Sequence, residues 1–261
     1  AQKMLTALNR EYPVADQSLH MSASIGLVIY PVDGDTAEDI LKKADSAVYA
    51  AKKAGRSSWR FYDPSLQQET YEAIMLTNSL RRVLERGELS LHYQPQLLPD
   101  GQTMVGFEAL LRWHSPEYGQ VSPLRFIPLA EKNGLITPIG QWVLEETCRF
   151  VKRLSVLGWD DLHVAVNISP KQLLASNFVS RIRTIIETAQ IKPEQIVLEV
   201  TESVLIESLE QSVDKMQQLH DFGVALALDD FGTGYSSLTY LKSLPVDILK
   251  IDKSFIDKNC T

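Results

Sequence analysis

Five times in this chain an apolar run the length of a buried strand ends in a side chain that can bind a metal or move a proton. Val105-Gly106-Phe107 leads to Glu108, Val164-Ala165-Val166 to Asn167, Ile196-Val197-Leu198 to Glu199, residues 224–228 to Asp229 and Asp230, and Ile248-Leu249 to Lys250. A carboxylate is strongly hydrated and costly to bury alone, so acids repeated at strand ends require a cation or a substrate that gathers them. One such acid would read as a solvated strand end or a helix cap. Five together point to a site. Glu108, Asn167, Glu199, Asp229 and Asp230 are all oxygen donors with no histidine beside them, and hard oxygen sites suit Mg²⁺ or Mn²⁺ better than zinc. Lys250 among them is either a structural counter-ion or a catalytic group that orients water, and the sequence leaves both open.

These side chains need strands that bring them to one end of a sheet. Strand-like runs at 89–93, 104–110, 163–167, 196–201, 224–229 and 247–251 are separated by segments of helical pattern, such as 140–157, 177–189 and 208–222. Strands alternating with helices imply parallel strands buried on both faces, and the uninterrupted apolar stretches agree. Every chemical residue lies at a strand's C-terminal end, which favours a (β/α) barrel of the TIM type over an open sheet with one switch point. Adjacent Asp229 and Asp230 would point to opposite faces of a regular strand, so extended geometry has to end there. Gly232 and Gly234 can permit that, with Ser236-Ser237 capping the next helix.

Ahead of this lies a smaller, α+β arrangement. Residues 20–30 read as one strand, followed by a helix capped by Thr36 and stopped at Gly55, then a short strand at 59–62. Asp63-Pro64 opens a mainly polar helix running to Gly87. The expected organisation is a partial domain at 1–62, a helical linker at 63–87 and a barrel at 88–261.

The chain has 261 residues, 33 acidic and 26 basic, with a net charge of −7, which argues against a basic surface tracking a DNA or RNA polymer. Two cysteines, Cys148 and Cys260, give no disulfide framework or thiolate zinc site, so a reducing, cytoplasmic setting fits. The five histidines show no ligand spacing. No apolar run reaches the roughly 20 residues needed to span a bilayer, although regions outside this chain could carry a membrane anchor.

The motifs Phe107-Glu108-Ala109-Leu110-Leu111-Arg112-Trp113, Val166-Asn167-Ile168-Ser169, Leu198-Glu199-Val200-Thr201-Glu202, Asp229-Asp230-Phe231-Gly232-Thr233-Gly234 and Lys250-Ile251-Asp252 closely resemble the EAL-domain family over roughly residues 76–261. The resemblance implies a (β/α) barrel with one strand running against the others. It implies hydrolysis of cyclic di-GMP to linear pGpG with Mg²⁺ or Mn²⁺ in a two-metal site. Carried over by position, Glu108, Asn167, Glu199, Asp229 and Asp230 would ligate metal, and Lys250 would help hold the attacking water. Glu202 would anchor the 230–237 loop, and Gln94 and Arg112 would contact the ligand. Residues 1–62 resemble the C-terminal half of a GGDEF, or diguanylate cyclase, domain through Ser24-Ile25-Gly26, Ala44-Asp45, Tyr49, Ala51-Lys52 and Gly55-Arg56.

The family supplies two further strands after the Lys250 motif, with another glutamate and a later glutamine, so about six of eight barrel strands are expected here. An open barrel leaves strand edges uncovered, and poor solubility of this stretch by itself is the expectation. A homodimer paired near the 230–237 loop is also expected. The alternative to an enzyme is a non-catalytic cyclic di-GMP receptor on the same barrel.

Overall fold

Acids can gather at strand ends only if the strands lie side by side in register, and the larger part of the chain builds that arrangement. The computed structural model describes residues 1–14, 17–53, 57–202, 209–232 and 244–252. Two units emerge, Ala1–Leu76 and Thr77–Thr261.

In the first unit, helix α1 (Gln2–Leu8) precedes an antiparallel hairpin of β1 (Glu11–Val14) and β2 (Gln17–His20). Strand β3 (Ile25–Leu27) then pairs in parallel with β4 (Trp59–Phe61) through the crossover helix α2 (Ala37–Lys53). The capping expectation holds: Thr36 Oγ1 accepts the Asp39 N–H at 3.2 Å. The single strand expected over 20–30 does not form. Its first residue closes the β1–β2 hairpin and its centre joins β4, so one alternating run serves two separate sheets. The expected stop at Gly55 lies outside the described residues.

Helix α3 (Pro64–Leu80) starts where Asp63 Oδ1 accepts the Ser65 N–H at 2.9 Å. It ends seven residues before the expected Gly87. The bonds tighten there, from Arg82 N–H to Ser79 and from Val83 N–H to Leu80, while Leu80 and Val83 turn into the core. Gly87, at φ 63°, takes the left-handed conformation that closes the turn.

The second unit is a mixed sheet. In spatial order it runs β5 (Leu89–Leu97), β6 (Met104–Ser115), β8 (His163–Ile168), β9 (Ile196–Thr201), β10 (Ala225–Phe231) and β11 (Ile248–Ile251), with β7 (Gly119–Val121) added to the end of β6. Strand β5 is antiparallel to β6, and the pairs from β6 to β11 are parallel. Helices α4 (Pro123–Lys132), α5 (Ile136–Val156), α6 (Pro170–Leu174), α7 (Phe178–Ala189) and α8 (Leu209–Asp221) connect the strands. The hairpin strand β7 and helices α4 and α6 were not anticipated from periodicity. Both helices are short and begin at a Ser-Pro pair, Ser122-Pro123 and Ser169-Pro170.

Alternation sorts the parallel strands into two faces. Val164, Val166, Ile196, Leu198, Leu226 and Leu228 face the helices, whereas Ala165, Val197 and Ala227 form a small buried cluster on the other face. That inner face is concave. Four strand spacings separate β6 from β11, roughly 19 Å in a flat sheet, yet Lys250 Nζ on β11 lies 3.4 Å from Glu108 Oε2 on β6. Only a sheet curled as in a TIM-type barrel allows that contact. No helix among the described residues is long and apolar enough to cross a membrane.

Candidate active site

The register of the parallel strands puts Glu108, Asn167, Glu199, Asp229 and Lys250 on the inner face. Glu108 pairs with Ala165, Asn167 with Glu199, and Glu199 with Ala227, so the small side chains of the buried cluster lie beneath the polar ones. Alanine and valine leave room at the barrel axis for longer side chains to converge above them.

The convergence centres on Lys250. Its ammonium donates to Glu199 Oε2 at 2.7 Å, to Glu108 Oε2 at 3.4 Å and to Asp229 Oδ2 at 3.4 Å. Asn167 Nδ2 donates to the other oxygen of Glu108, Oε1, at 2.9 Å. Glu199 is almost fully buried, at 2 % exposure. Burial pushes its carboxyl up to about 7, Glu108 and Asp229 push in the same direction, and Lys250 opposes them. The lysine loses hydration on burial, but the hydrogen bond and charge of Glu199, with Glu108 and Asp229 behind it, hold its ammonium above the ordinary range.

Asp229 and Asp230 separate as expected, but by a different device. Asp230 itself adopts a left-handed φ of 55°, and the β10–β11 register shifts between Leu228 and Phe231. Gly232 follows at φ 98°. Asp229 thus reaches the ammonium while its Oδ1 accepts the Asp230 N–H at 3.0 Å. Desolvation raises the Asp230 carboxyl, Asp229 and Asp252 add to that, and Lys250 counters it. Buried Glu202 accepts the Gly232 N–H through Oε2 at 3.2 Å, at the start of the 230–237 loop. Thr233, Gly234 and Ser236-Ser237 lie outside the described residues, as does Cys260.

Gln94 stands opposite Glu108 in the antiparallel β5–β6 ladder, and Arg112 lies four residues beyond Glu108 on the same face of β6. The Arg112 guanidinium donates to the Leu111 carbonyl at 3.0 Å. Three supporting contacts went unread in the sequence. His163 Nε2 meets Gln96 Oε1 at 3.0 Å on the floor of the inner face, Ser169 Oγ donates to Glu131 at 2.7 Å just past Asn167, and Asp247 ties β10 to the start of β11. Strand alternation carries the signal for the first, because Gln94, Gln96 and Glu108 fall on one face.

The donor chemistry fits a hard divalent cation. The acids Glu108, Glu199, Asp229 and Asp230 outnumber the single ammonium among them, and the Asn167 amide leaves its oxygen available. The ammonium stands between the acids, and among the described residues no three His, Cys, Asp or Glu side chains enclose an ion by themselves.

Residues 77–260 match the family model described as EAL domain. The chain belongs to the EAL-domain family. Residues 1–58 match the model of the diguanylate cyclase, GGDEF domain. The chain is similar to the bifunctional diguanylate cyclase/cyclic di-GMP phosphodiesterase MucR of Pseudomonas aeruginosa, at 42% identity over 258 residues covering 99% of this chain and 38% of that protein. It is also similar to the cyclic di-GMP phosphodiesterase PdeR of Escherichia coli, at 37% identity over 256 residues, 98% of this chain and 38% of that protein. It thus spans about two-fifths of the length of these relatives. Among solved structures, the PaMucR phosphodiesterase in complex with c-di-GMP superposes with a TM-score of 0.68 at 45% identity, covering 70% of this chain and 74% of that one. The EAL assignment accounts for the barrel with one reversed strand and for the order in which the site residues occur.

Proposed function

We propose that this chain carries the EAL-type phosphodiesterase site of a bacterial second-messenger protein and that the reaction is hydrolysis of cyclic di-GMP to linear pGpG. The observation that carries the reading is the meeting of Glu108, Glu199 and Asp229 on Lys250 at the mouth of a barrel in this family.

In this reading Arg112 and Gln94 hold the nucleotide, the forked donors of Arg112 suiting a phosphate or a guanine edge. Glu108, Asn167, Glu199, Asp229 and Asp230 hold Mg²⁺ or Mn²⁺ in a two-metal site. Bound there, the cations polarise the phosphodiester and lower the pKa of water. Lys250 orients the attacking water, whose oxygen bonds to phosphorus while the P–O3′ bond breaks. The released O3′ takes up a proton, so that one phosphate remains on a 5′ oxygen. Glu202 keeps the 230–237 loop in place through Gly232. Residues 63–87 connect the GGDEF-like segment to the barrel. A cytoplasmic setting and pairing of two copies near the 230–237 loop belong to the same reading.

Incubation with cyclic di-GMP and Mg²⁺, followed by chromatography of the nucleotides, tests it. Accumulation of pGpG with the full-length wild-type parent protein and none with its Glu108→Ala variant is the expected result. Nucleotide retained intact by the folded full-length parent protein would overturn the enzyme in favour of a receptor.

A further inference from the structure

We propose that Lys250 competes with divalent metal for the acids of the EAL site, so that the lysine sets how tightly the chain holds its cation. The inference rests on the metal reading above and adds a regulatory element to it.

Three oxygens carry the argument: Glu199 Oε2, Glu108 Oε2 and Asp229 Oδ2 all accept from one ammonium, at 2.7, 3.4 and 3.4 Å. Those same oxygens are the anionic donors a divalent cation would need. Metal–oxygen bonds to these ions are about 2.1 Å long, so a cation on any of these oxygens would stand within roughly 5–6 Å of the ammonium. In a half-buried site, repulsion between the two is much stronger than in water. The lysine therefore has to leave the acids as metal enters, and the contacts it gives up lower the affinity.

No other Lys or Arg among the described residues forms an ion pair with Glu108, Glu199 or Asp229. The ammonium is thus the resident counter-charge that lets these acids be gathered in advance. Replacing it by a neutral side chain of similar length leaves the acids mutually repelling, and that repulsion is relieved when a cation binds. The geometry makes Lys250 a positioning residue for the acids and a brake on metal loading.

Calorimetric titration of Mn²⁺ into the full chain, without nucleotide, tests this. Lys250→Met should bind Mn²⁺ about tenfold or more tightly than wild type, and Lys250→Arg, which keeps the charge, should lack the gain. Equal or weaker binding by Lys250→Met overturns the proposal. Failure of both wild type and Lys250→Met to bind Mn²⁺ overturns the metal reading itself, so the two failures are distinguishable. A second measurement needs no variant: the rate at which an acetylating reagent modifies Lys250 in the wild-type chain, followed by mass spectrometry with and without Mn²⁺. Faster modification with Mn²⁺ is expected as the ammonium leaves the acids, and an unchanged or slower rate overturns the proposal.

Discussion

The Asn167 side chain donates from Nδ2 to Oε1 of Glu108 across 2.9 Å, while the other oxygen of the same carboxylate faces Lys250 at 3.4 Å. Glu108 is therefore gripped from both sides, by β8 and by β11. Asn167→Asp removes the donor and sets two carboxylates against each other. Its kcat should fall by roughly 10²-fold or more, with little change in melting temperature because Asn167 is exposed. Steady-state kinetics beside a thermal melt reads both, and wild-type kcat would remove Asn167 from the site.

Gly106 is needed for its missing side chain. A Cβ there would run into the His163 carbonyl and approach the imidazole Cδ2 to 2.7 Å. Gly106→Ala should destabilise the chain by about 1–3 kcal/mol. A urea denaturation midpoint equal to wild type would show that the His163 backbone and ring both shift to admit the Cβ without cost.

His163 gives the fold a dependence on acid. Burial lowers its pKa from the ordinary value, so the folded chain favours the neutral ring that meets Gln96. The unfolded chain then binds more protons, and the stability contributed by this residue is present above the unfolded histidine pKa and lost as pH falls through it towards the folded value. The melting temperature should drop between pH 7.5 and 5.5, and His163→Gln should shrink that drop. Identical pH slopes for the two proteins would sink the assignment.

Glu88 and Trp113 form a buried pair beside Arg112. The indole N–H donates to Glu88 Oε2 at 2.9 Å, Arg86 reaches Oε1 at 3.4 Å, and the Glu88 carbonyl accepts the His114 N–H at 3.0 Å. Trp113→Phe leaves a carboxylate with almost no exposure short of a donor, at a cost of about 1–3 kcal/mol. Adding Glu88→Gln should return part of that loss in a double-mutant cycle, because a neutral amide is cheaper to bury than a charge. Strict additivity would mean that the pair is not coupled.

Much of the barrel was legible because its signals are local. Apolar runs in IVLEV and ALALDD ended in acids, and the helical patterns at 140–157, 177–189 and 208–222 correspond to α5, α7 and α8. The sheet's closure was not local: nothing in the sequence near Glu108 or Lys250 states that four strand spacings of curvature bring them together, and the barrel was expected from the common placement of the chemical residues at strand ends and from the family resemblance. The conformational switch at 229–230 was expected from Gly232 and Gly234, but Asp230 itself carries the positive φ, a conformation that Asp and Asn tolerate better than most residues. The split of the 20–30 segment escaped because an alternating pattern says that a strand exists and not which partner it chooses. Helix α3 was overextended because Leu84 and the polar residues after Leu80 continue a helical pattern, while burial of Leu80 and Val83 ends it.

Reversal of β5 decides where the chain enters its barrel. Leu89 lies opposite Trp113, at the rim where β6 ends, and Leu97 lies opposite Met104 at the far rim. A first strand parallel to its neighbours would have brought the preceding segment in at the floor, roughly 30 Å from the rim for nine residues of strand. Here the doorway is at the rim towards which β6 runs from Glu108 to Arg112, and Ser90, one residue inside it, pairs with Arg112. Residues 81–88 therefore reach the barrel at the Arg112 end of β6, with no need to pass down the staves first.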